Sequence, residues 1–315
     1  MPAEILIAVA LLFAVATGAN DGGALLAPGL RVPGLGLLPA AAILIAATVV
    51  VPLVTAAPVA HTLASDLVTG VGDGSVALLV AFVVAVVVVS VLTAQGLPTS
   101  LILAIISATV GAGLGLAVPV SWASLWWVLL IAAVAPLVGM MLALMVSMAW
   151  GTRGRYLPTM RRGHVLAFSA QSLAYGANDG QKIVVLLLAA GLATPDGRLA
   201  WWWYLLLGLA FAAGVALGLP RIAGTVGTGI LNAGPAHIVS GEFAAAGAVL
   251  GSAALGAPVS MTQALVGGLL GAGLRESSRR IRWQVVRALG LAWLVTLPLS
   301  FGLAALTGLV VAALQ

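Results

Sequence analysis

Two stretches, Gly18-Ala-Asn-Asp-Gly22 and Gly176-Ala-Asn-Asp-Gly180, set identical amide–carboxylate pairs inside long apolar sequence. Their chemistry is that of binding rather than of covalent catalysis. Asn20 and Asn178 offer amides, and Gly22, Gly23 and Gly180 leave backbone N–H groups open to an approaching anion. If a membrane helix breaks here, the helix that restarts has free N–H groups and a partly positive end. Asn or Asp can cap such an end. Asp21 and Asp179 are different. A carboxylate at membrane depth is costly unless paired or ion-bound, and it marks a functional site by default. Carboxylates repel anions but take Na⁺ through oxygen, or a proton. The combination suits an anion bound together with cations, with Na⁺ expected at Asp21 and Asp179 and no other metal. One copy alone reads equally well as a helix cap and turn; the repetition is what favours a site.

A second recurring pattern, Gly96-Leu-Pro-Thr-Ser100 and Gly256-Ala-Pro-Val-Ser260, interrupts the apolar sequence further along each half. Pro98 and Pro258 suit the first turn of a new helix. Thr99, Ser100, Ser260, Thr262 and Gln263 then lie near a helix N-terminus and can ligate an anion or Na⁺. Satisfying freed backbone groups is the ordinary role of such hydroxyls in membrane helices. Lys182 is the only lysine and follows Asp179 by three positions, on one helical face. It can pair with Asp179, contact an anion, or snorkel to the interface. Glu242 stands just before an apolar run and can cap a helix or carry a proton. His61, His164 and His237 follow no metal-ligand spacing and read as interfacial, and Asp66 and Asp73 read as solvated loop residues.

The elements that position these residues follow from composition. Of 315 residues, 62% are hydrophobic and 7% charged, where soluble domains carry about 25% charged residues. Mean hydropathy is +1.21. No water-soluble surface can be built from this, and apolar runs of about 20 residues predict membrane helices rather than a barrel. The expected fold is an all-α polytopic membrane protein with about ten transmembrane helices. The net charge of +5 comes mostly from arginines in short loops, which read as topology signals and not as a nucleic-acid surface. The absence of cysteine excludes disulfides and thiol chemistry. Met1-Pro-Ala-Glu4 lacks the basic flank of a cleavable signal, so the first apolar run is expected to be retained. No Ser-His-Asp set or HExxH motif appears, so no enzyme and no cofactor is expected.

The expected spans include Ile5–Ala19, Leu35–Ala60, Ser75–Thr93, Leu101–Val118, Trp122–Trp150, Val165–Ala177, Trp201–Leu219, Phe243–Leu255, Met261–Leu274 and Ala288–Leu314. The Asn-Asp pairs are offset by 158 residues and the Gly-x-Pro-x-Ser breaks by 160, in the same order. That is an internal duplication, with 1–150 as the first repeat, 151–163 as a basic loop and 164–315 as the second. The loop 151–163 and the segment 275–287 hold nine of the 13 basic residues, so both are expected to be cytoplasmic. The repeats are then inverted, with both termini outside. Inverted repeats with Gly/Pro-broken, re-entrant segments at matching positions point to a secondary transporter with its site at the repeat interface.

These residues resemble the inorganic phosphate transporter (PiT) family, which carries Gly-x-Asn-Asp near the start of each repeat and a Pro-x-Ser-Thr-Thr-type motif late in each. Gly18-Ala-Asn-Asp21 and Gly176-Ala-Asn-Asp-Gly-Gln-Lys182 match the first motif, the second copy looking like bacterial members. Pro258-Val-Ser-Met-Thr-Gln263 matches the second motif, and Pro220–Gly227 and Gly241-Glu-Phe-Ala244 are also similar to the family's second half. The resemblance implies uptake of inorganic phosphate by symport with Na⁺ or H⁺ across a bacterial plasma membrane. It implies phosphate ligands among Asn20, Asn178, Thr99, Ser100, Ser260, Thr262, Gln181 and Lys182, cation ligands Asp21, Asp179 and Gln263, and a homodimer. The chain departs from the pattern at Ala24, Leu101-Ile102-Leu103, Met261 and Tyr175, which leaves the first-repeat side poor in polar groups. Sulfate or a metal–phosphate complex as substrate, or a passive anion channel, are the alternatives.

Overall fold

The computed structural model describes residues 3–55, 59, 63, 73–150, 156–194 and 198–314. His61, Asp66, Arg153, Arg155, the turn residues Pro195, Asp196 and Gly197, and the side chain of Asp73 fall outside them.

A chain this apolar must satisfy its backbone internally, and helices do so within each segment. Among the described residues, six helical stretches are long and apolar enough to cross a membrane: Ala3–Gly29, Leu37–Val54, Ser75–Ala94, Trp122–Trp150, Trp201–Gly229 and Trp283–Leu314. Large apolar side chains such as Leu38, Trp126, Met145 and Leu306 face outward along them, as lipid contact requires. The chain is a multi-pass membrane protein. The remaining helices are shorter or more polar.

In chain order, α1 (Ala3–Thr17) passes through a π-helical turn (Gly18–Gly22) into α2 (Gly23–Gly29). Then come α3 (Leu37–Val54), α4 (Asp73–Ala94), α5 (Leu101–Gly115) and α6 (Trp122–Trp150). The second half opens with α7 (Leu157–Tyr175), a second π turn (Gly176–Gly180) and α8 (Gln181–Ala189). It continues with α9 (Trp201–Ile222), which runs into a third π turn (Ala223–Gly229). It ends with α10 (Pro235–Ala254), α11 (Met261–Glu276) and α12 (Trp283–Leu314).

Two expectations are corrected here. The Asn-Asp pairs do not break their helices: the residues flanking Gly18–Gly22 and Gly176–Gly180 keep right-handed helical φ and ψ. No helix restarts there with a free, partly positive end. Inside an apolar bundle every freed backbone group would need a partner, and a widened π turn disturbs the ladder less than a break does. Helix starts near these turns are supplied instead by α5 and α11, after the Pro-containing interruptions. The second correction concerns Glu242, expected just before an apolar run as a possible helix cap: α10 already begins at Pro235, so Glu242 sits inside that helix and caps nothing.

Packing brings the two halves through one another. The helix pairs α4/α5 and α10/α11 form hairpins. Helix α5 lies along α12, with Gly111 against Phe301 and Gly115 against Ala305, and α11 lies along α6, with Gly267 against Pro136 and Gly271 against Met140. Both pairs run parallel. Helix α11 ends where α12 begins, and α5 ends where α12 ends. The two hairpins therefore enter from opposite ends of the bundle and bring their tips, 95–100 and 255–260, to the π turns. The first π turn packs on α9 and the second on α3. A guanidinium nitrogen of Arg275 donates to the Ser147 carbonyl, so the basic 275–287 segment lies at the end of the bundle where α6 finishes.

Candidate functional site

Each Asn of the repeated motif ties a hairpin tip to its π turn. Asn20 Nδ2 donates to the Thr99 carbonyl at 2.8 Å and to Asp21 Oδ1 at 2.7 Å. Its Oδ1 accepts from the Thr99 N–H at 2.9 Å and from the Thr93 hydroxyl at 3.1 Å. Asn178 repeats this in the second half, its Nδ2 donating to the Ala257 carbonyl at 3.3 Å and its Oδ1 accepting from Val259 N–H at 3.4 Å. An amide is the side chain for this task because it presents a donor and an acceptor to one peptide segment.

The carboxylates stand beside these clamps. Asp21 Oδ1 accepts from the Thr262 hydroxyl at 2.8 Å, and its Oδ2 accepts from the Tyr175 hydroxyl at 3.4 Å. Asp179 Oδ1 accepts from Lys182 Nζ at 2.5 Å, and the same ammonium donates to the Val259 carbonyl at 2.6 Å. Both acids and Lys182 are at most 2% exposed. In so low a dielectric their charges act on one another strongly. The site thus holds two acids and one base. Asp179 Oδ2 and Gln263 Oε1 have no protein partner among the described residues.

Ser100 and Ser260 occupy the N-cap positions of α5 and α11, accepting from Leu103 N–H and Gln263 N–H at 3.3 Å each. A serine cap fixes a helix start and leaves the remaining N–H groups of the first turn pointing toward the site. Thr99 and Thr296 share a 2.6 Å hydroxyl contact that ties the first hairpin tip to α12. Gln181 Nε2 donates to the Ala177 carbonyl at 2.7 Å, and its Oε1 accepts from Val59 N–H at 2.9 Å. A cavity of 220 Å³ between α1, α4 and α9, lined in part by Ala19, Thr93 and Arg221, reaches the back of the first clamp.

Comparison with known proteins places this geometry in a family. Residues 151–304 match the phosphate transporter family. A probable low-affinity inorganic phosphate transporter of Mycobacterium leprae is 31% identical over 229 residues, 67% of this chain and 55% of that one. The second half of the chain carries a phosphate transporter family domain. In the mycobacterial relatives the matched stretch spans only about half of their length. A probable low-affinity inorganic phosphate transporter of Bacillus subtilis is 27% identical over 288 residues, 86% of each chain. A solved structure described as the sodium-dependent phosphate transporter superposes with a TM-score of 0.84 at 18% identity, covering 99% of both chains. The helical architecture is therefore that of a known transporter fold, and the relatives are named as transporters rather than enzymes.

Within this phosphate transporter fold, the structure brings Asn20, Asp21, Thr99, Ser100, Asn178, Asp179, Lys182, Ser260, Thr262 and Gln263 to the two π turns and the hairpin tips. Sequence reasoning missed Thr93, Tyr175 and Thr296 as site members. Their signal was their rarity: a polar side chain within an apolar membrane helix needs a partner, and that partner sits on another helix. His164, expected at the interface, is buried on α7 and lies 2.8 Å from Glu242 through its Nδ1. His237, by contrast, lies at the loop end of α10, where its Nε2 is 3.2 Å from the half-exposed Glu276.

Proposed function

We propose that this chain is a secondary transporter that takes up inorganic phosphate in symport with Na⁺ or H⁺. The observation that carries this reading is the buried pair Asp21 and Asp179, of which Asp179 is paired with the Lys182 ammonium and Asp21 with neutral donors, between hairpin tips that arrive from opposite ends. Two acids and one base leave the site negative. A phosphate carrying roughly one to two negative charges at neutral pH enters such a site only with cations or protons that neutralise the carboxylates. That repulsion is the physical basis of coupling.

In this reading the first turns of α5 and α11 present N–H groups to phosphate, joined by hydroxyls of Thr99, Ser100, Ser260 and Thr262 and by Lys182. Asn20 and Asn178 act by holding the hairpin tips, and Gln181 by holding its π turn. Cations sit at Asp21 and Asp179, with Gln263 Oε1 as a further oxygen. Inverted repeats over 1–150 and 164–315 are supported by the reciprocal packing of α5 on α12 and α11 on α6. The basic end of the bundle is then cytoplasmic, both termini lie outside, and the membrane is a bacterial plasma membrane.

The test is uptake of radiolabelled phosphate by proteoliposomes under separately imposed Na⁺ and H⁺ gradients, with sulfate as competitor. Concentrative uptake under one gradient, resistant to sulfate, is expected. Absence of uptake under both overturns the reading. Asp21→Asn and Asp179→Asn each lose coupled uptake; wild-type behaviour in both sinks the mechanism.

A further inference from the structure

The two halves of the site differ in one position that changes their charge. By the 158-residue offset, Asp179 corresponds to Asp21 and Lys182 to Ala24; by the 160-residue offset, Val259 corresponds to Thr99. Ala24 is fully buried and contributes no polar group. Lys182 instead extends its ammonium between a carboxylate oxygen, Asp179 Oδ1 at 2.5 Å, and a hairpin-tip carbonyl, Val259 O at 2.6 Å. A carboxylate and a backbone carbonyl are the donor set that a hard cation takes. On the other side, among the described residues, the corresponding Asp21 receives only neutral donors, from Asn20, Thr262 and Tyr175, and it is the uncharged Asn20 amide nitrogen that bridges Asp21 Oδ1 and the Thr99 carbonyl.

We propose that the Lys182 ammonium is a tethered cation seated in one of two equivalent cation positions, so that an external monovalent cation is needed only at Asp21. This rests on the transporter reading above and sharpens it. The second-half position is neutralised from within and contributes no ion to coupling. Asp179 Oδ2, which has no protein partner among the described residues, stays available to the loaded site. A lysine can fill the position because its charge is a compact ammonium on a flexible stem. Burial does not expel that charge, since Asp179 compensates it directly. The same stem makes the device specific. It follows Asp179 by three residues on the helical face that looks onto the tip of the α10/α11 hairpin, so the charge stays seated as long as that tip is docked.

The proposal predicts a reciprocal exchange. Lys182→Ala, which copies Ala24 into the second half, opens an ion position and binds one more cation per chain than wild type. Ala24→Lys, which copies Lys182 into the first half, closes one and binds one fewer. The probe is Na⁺, counted as radiolabelled Na⁺ retained by the purified full chain in detergent at equilibrium dialysis. The second readout is the reversal potential of phosphate uptake in proteoliposomes, which gives the number of coupled cations. Lys182→Arg, which keeps the charge, is expected to keep the wild-type count. An unchanged Na⁺ count in Lys182→Ala or in Ala24→Lys overturns the proposal. If wild type shows no cation-driven phosphate uptake at all, the transporter reading fails instead, and the detergent Na⁺ count still decides the role of Lys182.

Discussion

The Thr262 hydroxyl donates to the Asp21 carboxylate at 2.8 Å, joining residues 241 positions apart. The donor stands in the first turn of α11, in the second half. The acceptor stands in the π turn of the first half.

Removing that hydroxyl should therefore be felt in binding. Thr262→Val keeps the volume and deletes the donor. A hydrogen bond to a charged group is worth about 1.5–3 kcal/mol, which corresponds to roughly tenfold or more in an equilibrium constant. The KM for phosphate, or for the coupling cation, is expected to rise by about that factor, while Thr262→Ser stays near wild type. Uptake kinetics of the two variants check this, and equal KM values in Thr262→Val and wild type would remove Thr262 from the site.

How much of this was legible in the sequence depends on the range of the signal. Trp122–Trp150 reads as one helix because an apolar run is bracketed by tryptophans, and the structure has the same limits. The repeated Asn-Asp pairs and Pro-containing interruptions pointed through spacing alone to segments that the structure brings together. The path of the backbone through Asn-Asp was not legible. Glycine with a short amide and a carboxylate is the composition of a cap, and only packing against α9 and α3 keeps the turn helical. Thr93 and Thr296 were equally silent, since each is a single polar residue whose partner comes from a distant helix. His164 misled because it follows no metal-ligand spacing and its partner in space, Glu242, lies 78 residues away in sequence.

The His164–Glu242 pair makes a separate prediction. Their side chains are 1% exposed and 2.8 Å apart. Truncating one partner leaves the other buried without compensation, at a cost of about 3–5 kcal/mol. His164→Ala is expected to lower the melting temperature in detergent sharply. The double variant His164→Leu with Glu242→Leu should recover most of the loss, because apolar residues of similar volume can replace a buried pair. A double variant as unstable as the single one would show that the pair does more than compensate its own charges.

The loop end of α10 should loosen in acid. His237 Nδ1 accepts from Gly234 N–H at 3.0 Å, and its Nε2 lies 3.2 Å from Glu276 Oε1, an arrangement that fits the neutral ring. Burial holds the imidazole below its ordinary pKa, and the nearby Arg280 adds to this. The unfolded chain therefore binds the proton more readily than the folded one, so this contribution to stability is complete above the ordinary value and is lost as pH falls through it, near about 6.5. Melting temperature compared at about pH 8 and about pH 5.5 should drop more for wild type than for His237→Gln, which cannot titrate. Equal drops would assign the acid sensitivity elsewhere.

The π turns themselves depend on their first glycines. A methyl group on Gly18 would lie 2.0 Å from the Phe211 carbonyl oxygen, and one on Gly176 would lie 2.3 Å from that of Ala47. Both obstacles are backbone atoms and cannot rotate aside, so α9 or α3 must move away from the turn. Overpacking of this kind costs about 1–3 kcal/mol. The displacement also draws Asn20 from Thr99, or Asn178 from Val259, because each clamp follows its glycine by two residues. Gly18→Ala and Gly176→Ala should thus lose both thermal stability and phosphate uptake. Gly290 is the control: it lies in α12 with nothing within 4 Å of an added methyl. Gly290→Ala should be neutral or stabilising by up to about 1 kcal/mol, since alanine favours the helix. Melting curves of the three variants in detergent decide the matter, and a Gly18→Ala protein that melts with wild type would show that α1 and α9 do not approach this closely.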